Sequence, residues 1–375
     1  MKICMVTDPY YPYPGGVAEH VHHLTLELRK LGHRVIVLTG SQNKEGEPDV
    51  IQMGKLVSFP ANLASITFTF HWRLPFLVWH FFRENSFDIV HAHGPLGFNL
   101  PYFAVHYAVA PCVGTFHTVY VGYNFYALAK MLLKDDFRKL KGVIVVSKAA
   151  KNNIAPHFPG YYRIIPNGVD VERFNPKVPP IPEFTSSNPK ILFVGRLEPR
   201  KGLQHLLAAF PFIKKELPNV ELIVVGTGPQ AQKYQKIAEH ELGGAVKFVG
   251  YVTPKDLPSY YRSCDVYCSP AVGGEAFGIV LLEAMASGTP VVASNIEGYK
   301  EVVRDGYNGL LANPLDPRAT ASAIVKVLKD RALRRKLQEN GRSFAESYSW
   351  RNVAKQVEQF YLELLNKHNK SDARL

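Results

Sequence analysis

The sequence predicts an α/β protein made of two doubly wound, parallel-sheet domains. Three observations carry that expectation. Apolar runs recur at 2–7, 34–40, 88–93, 111–117 and 143–147, with helical or loop patterns between them, and such alternation is what parallel strands need to be joined and covered. A proline-rich stretch at 176–189 interrupts the rhythm, which restarts at 190–195, 220–226, 246–252, 265–269 and 290–293. A chain of 375 residues with 46% hydrophobic content lets each domain bury its own core. The expected division is an N-terminal domain over 1–172, a linker over 173–189, a second domain over 190–349 and a closing segment over 350–375. The helical pattern from Trp350 to Lys367 would cross back to brace the first domain.

Taken in order, the first strand runs into Tyr-Pro-Tyr-Pro-Gly-Gly-Val. Gly15 and Gly16 precede a helix expected near Val17, where backbone amides would cradle an anion; a plain structural turn fits the same residues. The opening apolar run is too short for a signal peptide, so no export is expected. Leu63 to Phe82 is rich in aromatics but broken by Arg73, Pro75 and two histidines, so it will not span a bilayer. From Trp72 to Phe82 it forms a short amphipathic helix that either packs into the domain or lies in a lipid interface, with Arg83 at headgroup level. His91-Ala-His93-Gly94-Pro95 ends a strand. Its two imidazoles share a face, as alternate strand residues do, with or without a metal.

Charge and cysteine content narrow the classes. The net charge of +12 is shared, since 16 basic against 11 acidic residues over 1–170 leave +5 there and +7 in the remainder. Neither half is a basic tail. Lys130, Lys134, Arg138, Lys139, Lys141, Lys148 and Lys151 form one local cluster, read as either a solvated helix face or an anionic-lipid contact. No helix-turn-helix, zinc-finger or RNA-binding motif accompanies the charge, so no nucleic-acid partner is expected. Cys4, Cys112, Cys264 and Cys268 show no zinc or disulfide spacing and fit a reducing cytoplasm.

The second domain opens with Phe-Val-Gly-Arg-Leu-Glu-Pro-Arg-Lys-Gly, in which Arg196, Arg200 and Lys201 would set positive charge over a diphosphate. Farther on, Gly273 and Gly274 precede Glu275-Ala-Phe-Gly-Ile-Val-Leu-Leu-Glu283. On a continuous helix the two acids would share a side, and a helix N-terminus in a cleft would receive a diphosphate. Spacing alone also fits an amphipathic core helix with two solvent-facing glutamates.

The markers together resemble a family. Pro14-Gly15-Gly16-Val17, Gly32-His33, Thr115-Phe116-His117-Thr118, Val146-Ser147, Ile165-Pro166-Asn167-Gly168-Val169-Asp170, Gly195-Arg196, Arg200-Lys201-Gly202 and the Glu275 to Glu283 block stand in order over nearly the whole chain. They resemble the family 4 retaining glycosyltransferases of GT-B fold, two Rossmann-like domains facing a cleft. The Gly273 to Val280 run and Phe116-His117-Thr118 are most similar to phosphatidylinositol alpha-mannosyltransferases, with the GPI-anchor N-acetylglucosaminyltransferase subunit also akin.

The resemblance implies that the second domain holds a nucleotide sugar. Arg196 and Lys201 would bind its diphosphate, Glu283 the ribose hydroxyls and Glu275 the sugar hydroxyls. Phe277, Gly278, Ile279 and Val280 would offer backbone amides, Gly15 and Gly16 would serve the donor from the first domain, and His117 would lie beside the donor sugar. His91, His93 and Thr118 are the candidate acceptor contacts. It also implies a front-face reaction in which the departing phosphate helps take the acceptor proton, with no protein nucleophile, cofactor or metal. Gly94 stands where the mannosyltransferases have Glu, the Trp72 to Phe82 aromatics replace their basic run, and Thr253 stands where an acid would favour guanine. The expected activity is hexosyl transfer, best fitted by GDP-mannose and an inositol-lipid headgroup, in the cytoplasm or peripheral on the inner face of the cytoplasmic membrane. A transferase using a UDP- or ADP-sugar and a small sugar or polysaccharide acceptor is the alternative.

Overall fold

The computed structural model describes residues 1–13, 15–43, 46–61, 64–120, 125–184 and 186–372. Pro14 of the first marker, Leu63 of the aromatic stretch and Thr185 of the proline-rich stretch lie outside them. The chain divides into two compact units, Met1–Gly168 with Trp350–Leu375, and Val169–Ser349.

The first unit holds strands β1 (Lys2–Thr7), β2 (Arg34–Thr39), β3 (Val50–Gln52), β4 (Lys55–Ala61), β5 (Ala64–Phe70), β6 (Ile89–His93), β7 (Cys112–Phe116), β8 (Leu140–Val145) and β9 (Arg163–Ile164). Seven of them form a parallel sheet in the order β3-β2-β1-β6-β7-β8-β9, while β4 and β5 pair as a separate antiparallel hairpin. Helices α1 (Gly16–Lys30), α2 (Leu74–Glu84), α3 (Leu100–Tyr107), α4 (Phe125–Lys139) and α5 (Lys148–Ile154) connect the strands. Asn99 caps α3 by accepting from Tyr102 N, and Ser147 caps α5 by accepting from Ala150 N at 2.9 Å.

A C-terminal helix, Trp350–Asp372, closes this unit by packing on α1. Its buried residues Trp350, Val353, Ala354, Val357, Phe360 and Tyr361 follow helical spacing, so one stripe enters the core beside Ile3, Met5 and Val21. His33 Nε2 lies 2.8 Å from Glu358 and pins the same helix.

The second unit repeats the plan. Strands β10 (Lys190–Val194), β11 (Glu221–Val225), β12 (Val246–Gly250), β13 (Val266–Ser269), β14 (Val291–Ser294) and β15 (Leu310–Ala312) pair in parallel in the order β12-β11-β10-β13-β14-β15. Helices α6 (Leu203–Glu216), α7 (Ala231–Leu242), α8 (Leu257–Arg262), α9 (Ile279–Ala286), α10 (Glu297–Lys300), α11 (Pro317–Lys329) and α12 (Arg331–Ser347) complete it. The proline-rich stretch lies with this unit, where Phe184 is buried and Ile181 N donates to Ser263 Oγ. All four cysteines are buried free thiols.

In each sheet the connection reverses direction between two neighbouring central strands, β1 and β6 in one, β10 and β13 in the other. Beyond the carboxyl ends of such a pair the loops splay apart and leave a crevice, so the residues that follow these four strands have the best access to a ligand.

Candidate active site

In the second unit the loops after β10 and β13 meet. A 3-10 turn at Pro199–Lys201 brings Arg200 and Lys201 over the crevice, and both reach Glu275 Oε1 at 2.6 Å. Glu198, nearly wholly buried beneath them, lies 3.1 Å from Arg200 and 4.0 Å from Arg196. Arg200 thus bridges two carboxylates, while Arg196 is half exposed. Burial works to raise the Glu275 carboxyl, but the charges of Lys201 and Arg200 and their hydrogen bonds hold it below the usual carboxylate range. Glu275 is therefore a fixed anion.

The expected continuous helix from Glu275 to Glu283 does not form. The helix begins only at Ile279, because its cap Gly278 sits at φ 90°, in the left-handed region. Glu275 belongs instead to the loop after β13, and Glu283 to the buried interior of α9. Two separate duties replace one shared face. Glu283 accepts from Tyr261 O–H at 2.9 Å, and burial together with the Glu283 charge pushes that phenol well up. The Glu275 carbonyl lies so near Gly298 that a Cβ there would overlap its oxygen. Phe277 is buried, and the first amides of α9, at Ile279 and Val280, have no preceding helical turn to pair with. Arg342 donates to Ala286 O at 2.6 Å, setting a cation at the far end of the same helix.

In the first unit Gly15 is the cap of α1 and Gly16 its first residue. His93 ends β6 and His117 follows β7; His93 Nδ1 and His117 Nε2 are 3.0 Å apart. Thr118, next in the chain, is exposed. His91 departs from its expected place as an acceptor contact. It is fully buried, with Nδ1 2.5 Å from Tyr361 O–H and Nε2 2.6 Å from Thr115 Oγ1, so both nitrogens serve the protein. Sharing a strand face with His93 places it one residue pair deeper in the core, not at the rim.

His20 was not legible as a site residue. On α1 it occupies an ordinary buried position, yet its Nδ1 lies 2.8 Å from Asn167 Oδ1 and its ring 4.7 Å from that of His117. Asn167 belongs to the Ile-Pro-Asn-Gly marker, which was the available signal. Burial drives His20 down to about 4 and His91 to about 3, with His93 and His117 also well below the ordinary imidazole range. The whole group is neutral at physiological pH. Glu198 and Tyr261 were likewise missed, because each acts through a partner set by the fold.

Two sheets of one order, each with polar groups gathered after its reversal strands, define the GT-B class of glycosyltransferases. Solved structures agree: sucrose-phosphate synthase from Thermosynechococcus elongatus superposes with a TM-score of 0.78 at 25% identity, covering 98% of this chain and 99% of that one. HepE of Anabaena in complex with UDP and glucose gives 0.78 at 21% identity, over 97% and 100% of the two chains, a likeness of fold. Residues 14–173 match Glycosyltransferase Family 4 and residues 175–344 match Glycosyl transferases group 1. The phosphatidyl-myo-inositol mannosyltransferase of Mycolicibacterium smegmatis is 35% identical over 96% of this chain and 93% of its own length. Its namesake from Propionibacterium freudenreichii is 30% identical over 96% and 94%. The chain belongs to the family 4 glycosyltransferases of GT-B fold, and is similar to these mannosyltransferases.

Proposed function

We propose that the protein transfers a mannosyl group from GDP-mannose to a hydroxyl of phosphatidylinositol, with retention at the anomeric carbon and without need of a metal. The observation that carries this reading is the 35% identity, over 96% of the chain, to a phosphatidyl-myo-inositol mannosyltransferase. The chemistry of the second unit supports it. Breaking the bond between sugar and diphosphate develops negative charge on the leaving group, and Arg196, Lys201 and the amides of Phe277, Gly278, Ile279 and Val280 supply fixed positive potential for it. Glu275, held ionised, accepts from the sugar hydroxyls, and Glu283, oriented by Tyr261, accepts from the ribose. Gly15 and Gly16 offer amides at the start of α1, His117 lies by the sugar, and His93 and Thr118 serve the acceptor side. His91 acts only within the protein, by holding Thr115 and Tyr361. The departing phosphate takes the acceptor proton, so no protein nucleophile is required.

A lipid acceptor is supported by one face of the first unit. Phe70, Trp72, Phe76 and Trp79 are exposed, Trp72 to 80%, while Leu74 and Val78 anchor α2 in the core. Arg73 stacks on Trp72 and Phe76, and Arg83 on Trp79, the mixture of rings and cations that suits an anionic headgroup layer. Helix α3 packs between α2 and α4. On α4, Met131 and Leu132 are exposed among Lys130, Lys134 and Arg138. Among the described residues no helix is long and apolar enough to cross a membrane, so the reading is peripheral attachment at the inner face of the cytoplasmic membrane. Calorimetric titration with GDP, UDP and ADP tests the donor. Tightest binding of GDP is expected; a preference for UDP or ADP would move the protein to a differently specified transferase.

A further inference from the structure

His20 from α1, His93 from the end of β6 and His117 from beyond β7 bring one ring nitrogen each to within 4.8 Å of one another. Their hydrogen bonds fix which nitrogens carry lone pairs. His20 Nδ1 faces the carbonyl-type Asn167 Oδ1 at 2.8 Å and so donates, leaving Nε2 as the lone pair. His93 Nε2 faces Met5 Sδ at 3.2 Å, an atom that only accepts, so His93 Nδ1 is the lone pair. It accepts from His117 Nε2–H at 3.0 Å. The Trp350 ring meets His20 edge to face at 5.2 Å and fixes its plane.

We propose that these three imidazoles form a site for a late first-row divalent cation, zinc foremost, through His20 Nε2, His93 Nδ1 and His117 Nε2, with one position left for water. Three neutral nitrogens suit zinc, cobalt, nickel or copper and not magnesium or calcium, which take oxygen ligands. A tetrahedral zinc site needs nitrogen pairs about 3.3 Å apart, given bonds of about 2.0 Å, and His93 Nδ1 and His117 Nε2, 3.0 Å apart, are already near that spacing. Asn167 and Met5 already hold the distal N–H groups of two ligands, the arrangement by which outer partners orient a metal-bound histidine. Only His117 must change, moving its proton from Nε2 to Nδ1, and no net proton is released. His117 keeps some exposure, which gives the ion a way in. Metal on His117 would also block transfer, a consequence that rests on the role given to His117 above, whereas the binding does not.

The test uses the full chain, stripped with EDTA and held in chelator-free buffer at neutral pH. Zinc chloride is titrated calorimetrically, and cobalt chloride is added under visible spectroscopy. One equivalent of zinc, intense four-coordinate cobalt bands, and an affinity weakened about tenfold or more in His20→Gln but kept in the exposed His80→Gln are expected. Pale six-coordinate cobalt spectra, or zinc affinity equal in wild type and a folded His20→Gln, would overturn the site. Should His20→Gln fail to fold, the cobalt spectrum of the wild type decides alone. Zinc binding with undiminished transfer would uphold the site and remove His117 from the transfer reaction.

Discussion

At the scale of single residues, the account turns on a carboxylate held between two cations. Glu275 is anionic because Lys201 and Arg200 sit at 2.6 Å, and Arg200 is shared with Glu198 at 3.1 Å. Glu275→Ala and Lys201→Ala should each lower transfer by about two orders of magnitude or more, corresponding to about 3 kcal/mol of transition-state stabilisation, in proteins of unchanged melting behaviour. Steady-state rates checked against thermal melts decide this, and near-normal turnover in either variant removes that residue's role. Lys201 and Glu275 were legible because their neighbours in sequence, the Arg-Lys-Gly and Gly-Gly-Glu runs, are themselves unusual. His20 and Glu198 were not. A histidine on the buried stripe of an amphipathic helix looks like any other core position, and its partner Asn167 stands 147 residues away.

At the scale of elements, period and punctuation decided what could be read. The central strands were legible as apolar runs, because a strand covered on both faces has little reason to carry polar residues. The hairpin of β4 and β5 was not, since it lies outside the parallel sheet and its aromatic alternation reads equally as part of the stretch leading into α2. The Glu275 to Glu283 block misled for a physical reason. An apolar run of helical spacing gives no sign of where its first turn begins, and Gly278 at φ 90° holds that turn back to Ile279, leaving Glu275 in the loop. The aromatic stretch divides its residues, with Leu74 and Val78 packed inward and Trp72, Phe76 and Trp79 facing out. Replacing Trp72 and Trp79 together by Ala should weaken sedimentation with phosphatidylinositol vesicles about tenfold or more, given about 1.5–3 kcal/mol for burying one large apolar side chain, and leave nucleotide binding intact. Equal vesicle binding by the double variant would remove this face from the account.

At the scale of the whole molecule, each unit's stability has its own chemistry. The first unit holds four imidazoles, His20, His91, His93 and His117, whose values lie below those of exposed histidine. As pH falls, the unfolded chain takes up protons first, near the ordinary value of about 6.5, while the folded chain does not. Their contribution is therefore complete above about 6.5 and is lost toward about 4 for His20 and about 3 for His91, at up to about 1.4 kcal/mol per pH unit for each. Urea midpoints should fall steeply between pH 7 and pH 5; a flat profile would mean that these rings are protonated in the folded protein. The two-sheet plan was open to sequence reading because its rhythm repeats, and the helix from Trp350, lying beyond the last strand signals and expected to cross back, does pack into the first unit.

The central claim is tested most directly by incubating the purified chain with labelled GDP-mannose and phosphatidylinositol liposomes and measuring label in the extracted lipid. A mannosylated lipid that disappears with Glu275→Ala is the predicted result. No lipid product from GDP-mannose, with efficient transfer from a UDP- or ADP-sugar to a soluble acceptor, would contradict it.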